Sequence, residues 1–252
     1  MTEHDHQPFL SHLTELRTRL LWSVLAMIAG SILCYIWVEP IYGFLVQPLA
    51  DAMGPDDSQR LIYTNLTEAF FTYLKVALFA GAFLTFPIVA TQIWMFLSPG
   101  LYEKEKKTVL PFLMASPFLF FAGGAVVYYI VLPLAWAFFL SFQSGGDETA
   151  LPIVLEARVG DYLDLVMTLI FAFGLAFQMP VVMALLAKAG IISADWMVKK
   201  RRYAIVLIFI VAAFLTPPDI ISQTSLAVPL MALYEISILI IRRLQPKDPV
   251  SP

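Results

Sequence analysis

Long apolar runs separated by short polar joints dominate this chain. The runs fall at about residues 20–38, 76–97, 110–140, 161–187, 203–216 and 220–241. A helix that crosses a bilayer needs about 20 predominantly apolar residues, and most of these runs meet that length. The fifth does not. After Lys199-Lys200-Arg201-Arg202, only residues 203–216 remain before Pro217-Pro218-Asp219. That stretch reaches about 21 Å as helix, against a hydrocarbon core of about 30 Å. The sixth run opens with the polar Ser222-Gln223-Thr224. The two runs around the Pro-Pro turn therefore predict a shallow hairpin that thins the bilayer locally or borders a wet recess.

Between the first two runs, residues 39–67 carry Pro40, Pro48, Gly54 and Pro55 among short apolar clusters. This pattern predicts an extramembrane segment with a partly amphipathic helix at the interface. Pro87, Pro117, Pro133, Pro180 and Pro229 fall within runs, and each removes an amide donor and crowds the preceding turn. Kinked spans favour a curved wall over a straight bundle. The predicted fold is an all-α membrane protein, a single domain over 1–252. It has six transmembrane helices, kinked and arranged as a concave wall, with the last two helices short.

Composition agrees. Of 252 residues, 60% are hydrophobic and 14% charged, and the mean hydropathy is +0.78; a soluble domain carries roughly a quarter charged residues. The net charge of −3 matters less than its distribution. Six spans put both termini on one side, and 13 of the 16 basic residues fall there, leaving Arg60, Lys75 and Arg158 elsewhere. The positive-inside rule then places both termini in the cytoplasm. The first residues are acidic and histidine-bearing, and no small-residue cleavage pattern follows the first run, so that run is expected to be retained.

Catalytic chemistry finds no seat. Cys34 is the lone cysteine and His4, His6 and His12 all lie near the N-terminus, so neither a disulfide nor a thiolate cluster can form within the chain, and no spaced metal-ligand set is present. No serine–histidine–acid set, phosphate-binding glycine loop or carboxylate pair can be assembled. The expectation is a protein that is not an enzyme and has no cofactor. Ionisable groups within spans are functional candidates by default. Glu235 is the clearest, although Arg242-Arg243 follow two turns later and bring it near the cytoplasmic interface. Gln178, one residue before Met179-Pro180, either satisfies carbonyls freed by Pro180 or lines a wet recess.

Two cytoplasmic segments carry exposed acids. In SHLTELRTRL, residues 11–20, Glu15 stands four residues before Arg19, the favourable order for a helical surface pair. It is equally a carboxylate available to a cationic ligand. In SPGLYEKEKK, Glu103 has Lys107 four residues on, whereas Glu105 has no basic residue at plus three or plus four. Guanidinium groups favour planar, bidentate carboxylates, so two such acceptors suit two arginines.

These residues carry a resemblance. HLTELRTRL, QIWMFLSPGLYEKEKK, FGLAFQMP and LTPPDIISQ stand in register with the signatures of the TatC family, the polytopic receptor subunits of the twin-arginine protein translocase. The similarity runs from about Pro8 to Arg243. It implies a Sec-independent translocase subunit of the cytoplasmic (inner) membrane that binds twin-arginine signal peptides of folded proteins, addresses read by a receptor. The implied partners are TatB- and TatA-type single-span subunits, membrane lipid and further copies in the receptor complex, with no nucleic acid. The implied driving force is the proton gradient. Carried over residue by residue, Glu15 and Glu105 would bind the arginine pair, with Leu16, Arg17 and Phe96 shaping the patch. Pro48 would support the first periplasmic loop, Gln178 takes the polar position of the fourth span, and Asp219 lies in the periplasmic turn. The family often has glutamate where this chain has Gln178, an amide that cannot titrate. The competing class, a secondary transporter of small solutes, predicts an internal repeat and a midplane polar cluster, and the sequence shows neither.

Overall fold

The apolar runs fold as helices. The computed structural model describes residues 7–54, 60–97, 103–144, 154–215 and 220–244, with side chains from residue 12 onward except over 97–113. The helices are α1 (Gln7–Ile36), α2 (Val38–Met53), α3 (Glu68–Leu97), α4 (Glu103–Val126), α5 (Leu132–Leu140), α6 (Val159–Ala176), α7 (Met179–Lys188), α8 (Ala194–Leu215) and α9 (Ile220–Leu244). A π-helical turn, Val127–Val131, joins α4 to α5.

Residues 11–20 and the first apolar run form one continuous rod, α1. It ends at Trp37, whose N–H turns back to the Cys34 carbonyl at 3.2 Å. Pro40 then sits in the first turn of α2, where a missing amide donor costs nothing. Of the five prolines expected to kink the spans, two interrupt the α-helical hydrogen-bond pattern. The π turn lies directly ahead of Pro133, and the wider turn absorbs the donor and space that proline removes. Pro180 separates α6 from α7, which restarts with the proline in its first turn. Pro87, Pro117 and Pro229 lie inside α3, α4 and α9, whose helical runs continue through them.

Among the described residues, five stretches are long and apolar enough to cross a membrane: His12–Ile36, Glu68–Phe96, Met114–Leu140, Val159–Lys188 and Ile220–Leu244. α8 is 22 residues long but falls outside this set, because Lys199–Arg202 occupy its first half. It begins before the expected run because Ser193 caps it, its hydroxyl accepting the Trp196 N–H at 3.2 Å. α9 spans 25 residues, reaching beyond the expected 220–241 to Leu244.

The chain divides into two compact units, Met1–Ile41 with Tyr73–Pro117 and Tyr42–Thr72 with Phe118–Pro252. In the first, α1 and α3 cross with almost no intervening side chain. A Cβ added at Gly30 would lie 2.6 Å from Thr85 Cγ2 and 3.2 Å from the Gly81 carbonyl oxygen, and one at Gly81 would lie 2.5 Å from Ser31 Cα. Next to this crossing, Cys34, Ala77 and Ala80 form a small core covered by Val38, Ile41 and Phe79. The small residues let the two backbones touch, which is the usual route to helix association where lipid removes the hydrophobic drive.

In the second unit, α4 and α6 approach as closely: a Cβ at Gly123 would lie 2.6 Å from the Phe173 carbonyl oxygen. Two tyrosines anchor α2 by donating to its carbonyls, Tyr128 to Phe44 at 2.7 Å and Tyr162 to Leu45 at 2.9 Å. α8 and α9 are tied by Tyr234, which donates to the Met197 carbonyl at 2.9 Å, and by the Gln223 amide, which donates to the Phe209 carbonyl at 3.0 Å.

Candidate functional site

The first unit holds a compact polar patch where the beginning of α1 meets the end of α3. Its centre is Arg19. The guanidinium donates to Glu15 Oε1 at 3.3 Å and to Gln92 Oε1 at 3.4 Å, with Met95 Sδ at 3.5 Å. Its Nε–H is buried and has no acceptor among the described residues. Glu15 and Arg19 are each 31% exposed at the side chain, so water reaches the pair. A turn away, the His12 and Phe96 rings stack with centroids 4.3 Å apart and an interplanar angle of 18°. Leu16 and Arg17 lie exposed on the same stretch of α1.

The local folding follows from sequence. Glu15 and Arg19 are one helical turn apart, so α1 places them side by side without help from the rest of the chain. Gln92, Met95 and Phe96 occupy the last turns of α3, and the close α1–α3 crossing brings them to α1. The patch therefore offers a carboxylate that already accepts one guanidinium N–H, and its remaining lone pairs face partly toward water. Such a carboxylate can exchange one guanidinium for another.

The structure brings Glu15, Arg19 and Phe96 together, along with Gln92 and His12, which the sequence did not single out for this patch. Gln92 carried a usable signal, being, with Thr91, a polar interruption in the mostly apolar final segment of α3. Glu105 falls in the first turn of α4, but its side chain lies outside the described residues, as do those of Glu103 and Lys107. The expected partnership of Glu15 with Glu105 thus lies outside what is described. Asp219 also lies outside the described residues.

The remaining candidates lie in the second unit. Pro48 is buried in α2 and lines a cavity of about 340 Å³ together with Asp51, Tyr128, Tyr129 and Pro133. Gln178 occupies the break between α6 and α7: its N–H donates to the Leu175 carbonyl at 3.0 Å and its own carbonyl accepts the Val182 N–H at 2.9 Å. It is half-buried. Glu235 on α9 accepts a 2.6 Å bond from the Arg201 guanidinium of α8, each side chain nearly half exposed. The basic run ahead of the fifth apolar stretch thus supplies the counter-ion for the clearest in-span acid.

One polar node was not anticipated. Glu68, at the start of α3, is 10% exposed at its side chain and accepts hydrogen bonds from the Thr64 N–H, the Gly160 N–H and the Arg158 guanidinium, at 3.0, 3.2 and 3.1 Å. It clasps the segment before α3 to the segment before α6, where Ile62 and Arg158 form a parallel bridge. The adjacent Glu68 holds the Arg158 guanidinium above its ordinary pKa. The available signal was Arg158 itself, one of three basic residues outside the main basic group of the sequence. Among the described residues, no cluster of histidine, cysteine or acid side chains could hold a metal ion.

Comparison with known proteins bears directly on this geometry. The family described as Sec-independent protein translocase protein (TatC) matches residues 11–229. The chain is 51% identical over 240 residues to the Sec-independent protein translocase protein TatC of Magnetococcus marinus, covering 95% of this chain and 86% of that one. It is 48% identical over 232 residues to the TatC of Rickettsia prowazekii, covering 92% and 91%. Among solved structures, the crystal structure of the twin-arginine translocase receptor TatC superposes with a TM-score of 0.79 at 34% identity, over 92% of this chain and 98% of that one. With the family spanning the residues of the α1–α3 patch and most of both units, this chain belongs to the TatC family of Sec-independent protein translocase proteins.

Proposed function

We propose that this chain is the receptor subunit of a twin-arginine translocase and binds the paired arginines of signal peptides on folded cargo. The observation that carries this reading is the Arg19 guanidinium resting on Glu15, a partly exposed carboxylate in arginine-binding geometry at the surface end of α1. The ligand's arginine takes the place of Arg19 on Glu15, and Glu105 receives the second arginine. Leu16, Arg17 and Phe96 bound the patch, and the His12 ring on Phe96 holds the α3 side of it in place. The role is transport rather than catalysis.

The distribution of basic residues supports an inner-membrane protein with both termini in the cytoplasm, which puts the patch on the side where folded cargo is made. Single-span TatB- and TatA-type subunits are the partners of this reading, with further copies of the chain in the receptor complex and the proton gradient as the driving force. Pro48, Asp219 and Glu235 serve structure and translocation. Gln178 serves as a hydrogen-bonding hinge at the α6–α7 break, since its amide cannot carry a titrating proton.

Crosslinking from positions 15 and 105 to a peptide bearing Arg-Arg, with a Lys-Lys peptide as control, tests the proposal. Preferential capture of the Arg-Arg peptide is expected, because a point-charge ammonium lacks the bidentate fork. Equal capture of both peptides refutes twin-arginine recognition by this patch.

A further inference from the structure

At the end of α5 and the start of α6, the second unit contains a cavity of about 370 Å³ that the signal-peptide reading does not use. Its inner wall is apolar, made by Leu49, Phe139 and Leu165, and its rim carries Glu156, Arg158 and Asp161. Both flanking stretches, Met114–Leu140 and Val159–Lys188, are of membrane-crossing length, so the cavity lies at the level where the apolar segments give way to polar chain.

Three features of the lining point to a ligand with two opposite charges and an apolar tail. Trp136 lines the cavity and is only 6% exposed, yet its indole N–H has no acceptor among the described residues. A buried donor of this kind calls for an acceptor from outside the chain. Arg158 spends part of its fork on Glu68 and Asp161, at 3.1 and 3.5 Å, and a guanidinium has five N–H groups to share. Acceptor-rich groups are therefore wanted on the Trp136 and Arg158 side. At the rim, Glu156 is exposed and has no hydrogen-bond or ion-pair partner among the described residues, and Asp161, beside Arg158, is engaged at one edge only. Those carboxylates want a cationic donor.

We propose that this cavity is a binding site for a zwitterionic aminophospholipid of the phosphatidylethanolamine type. Its phosphate accepts from the Trp136 indole and Arg158, its primary ammonium donates to Glu156 and Asp161, and an acyl chain lies along Leu49, Phe139 and Leu165. Phosphatidylglycerol supplies the phosphate but leaves both carboxylates facing an anion. Phosphatidylcholine supplies the positive charge but has no N–H to donate.

Native mass spectrometry of the full chain, delipidated in detergent and exposed to equal amounts of phosphatidylethanolamine, phosphatidylglycerol and phosphatidylcholine, tests the site. Retention of phosphatidylethanolamine at about five-fold or more over phosphatidylglycerol is expected, the factor corresponding to about one hydrogen bond. Trp136→Phe keeps the ring and removes the N–H, and it should lower that retention by a similar factor, with the thermal melt reporting that the variant is folded. Glu156→Gln, on the exposed rim, is the second variant and should erase the preference for phosphatidylethanolamine over phosphatidylcholine. Phosphatidylglycerol retained as well as phosphatidylethanolamine, or folded Trp136→Phe and Glu156→Gln proteins with wild-type lipid selectivity, would overturn the proposal.

Discussion

The sharpest quantitative consequence of the fold concerns one methyl group placed at two glycines. At Gly81, a new Cβ lands 2.5 Å from Ser31 Cα, with the Ser31 backbone nitrogen and hydroxyl oxygen as its other nearest neighbours. These are mostly backbone atoms of α1, so no rotamer change relieves the contact. Ordinary carbon contacts need about 3.5–4.0 Å, so α1 and α3 must part by about 1 Å along that contact. Overpacking of this kind costs about 1–3 kcal/mol. At Gly43, in the middle of α2, a Cβ meets nothing within 4 Å. Both positions are helical, so both Gly→Ala variants gain helix propensity of up to about 1 kcal/mol. That gain cancels in the comparison, leaving Gly81→Ala about 1–3 kcal/mol less stable than Gly43→Ala. For a chain of this size the gap corresponds to about 2–12 °C in Tm. Thermal unfolding of both proteins in nanodiscs of one lipid composition, followed by tryptophan fluorescence, measures it. Coincident melting curves would refute the claim that α1 and α3 are in backbone contact at Gly81.

Other substitutions probe the remaining features. Glu68→Gln removes the charge from a group that holds three donors, and hydrogen exchange at the Ile62 and Val159 amides should accelerate about ten-fold or more, while the α8–α9 amides keep wild-type rates; unchanged exchange at Ile62 would show that the clasp is incidental. Gln178→Glu should sustain export of a folded twin-arginine reporter, whereas Gln178→Leu, which cannot make the side-chain hydrogen bonds of an amide, should impair it; wild-type export by the leucine variant removes Gln178 from the mechanism. A double-mutant cycle on Arg201 and Glu235 should give a coupling below about 1 kcal/mol that shrinks in high salt, because both groups are nearly half exposed; a large, salt-independent coupling contradicts that exposure.

The pattern of apolar runs was enough to anticipate an all-helical membrane protein, because run length alone separates a span from a joint. Proline effects were only partly legible. A sequence shows where a donor is missing, but the neighbourhood decides whether the helix continues, as at Pro87, or widens into a π turn, as before Pro133. The Glu15–Arg19 pair was legible because it is local, one turn apart on one helix. The Arg19–Gln92 bond and the Glu68–Arg158 clasp were not, since their partners lie 73 and 90 residues apart and no periodicity encodes such a meeting. Trp136 escaped notice for a related reason. Within LPLAWAFFL it is one more apolar residue, and only the folded packing leaves its N–H without an acceptor.

The continuity of α1 turns recognition into mechanics. Glu15 and Gly30 sit on the same unbroken helix, fifteen residues apart, a separation of about 22 Å. At Gly30 the rod rests directly on the backbone of α3, with no long side chain to cushion it, so the crossing acts as a fulcrum. A tilt of about 5° about that point carries the Glu15 end through about 2 Å, most of a hydrogen-bond length. A ligand that draws Arg19 away from Gln92 on α3 therefore loads the fulcrum, and a shift at the fulcrum re-aims the carboxylate. Affinity at the exposed end of α1 and packing deep within the first unit are in this sense two readings of the angle of one lever.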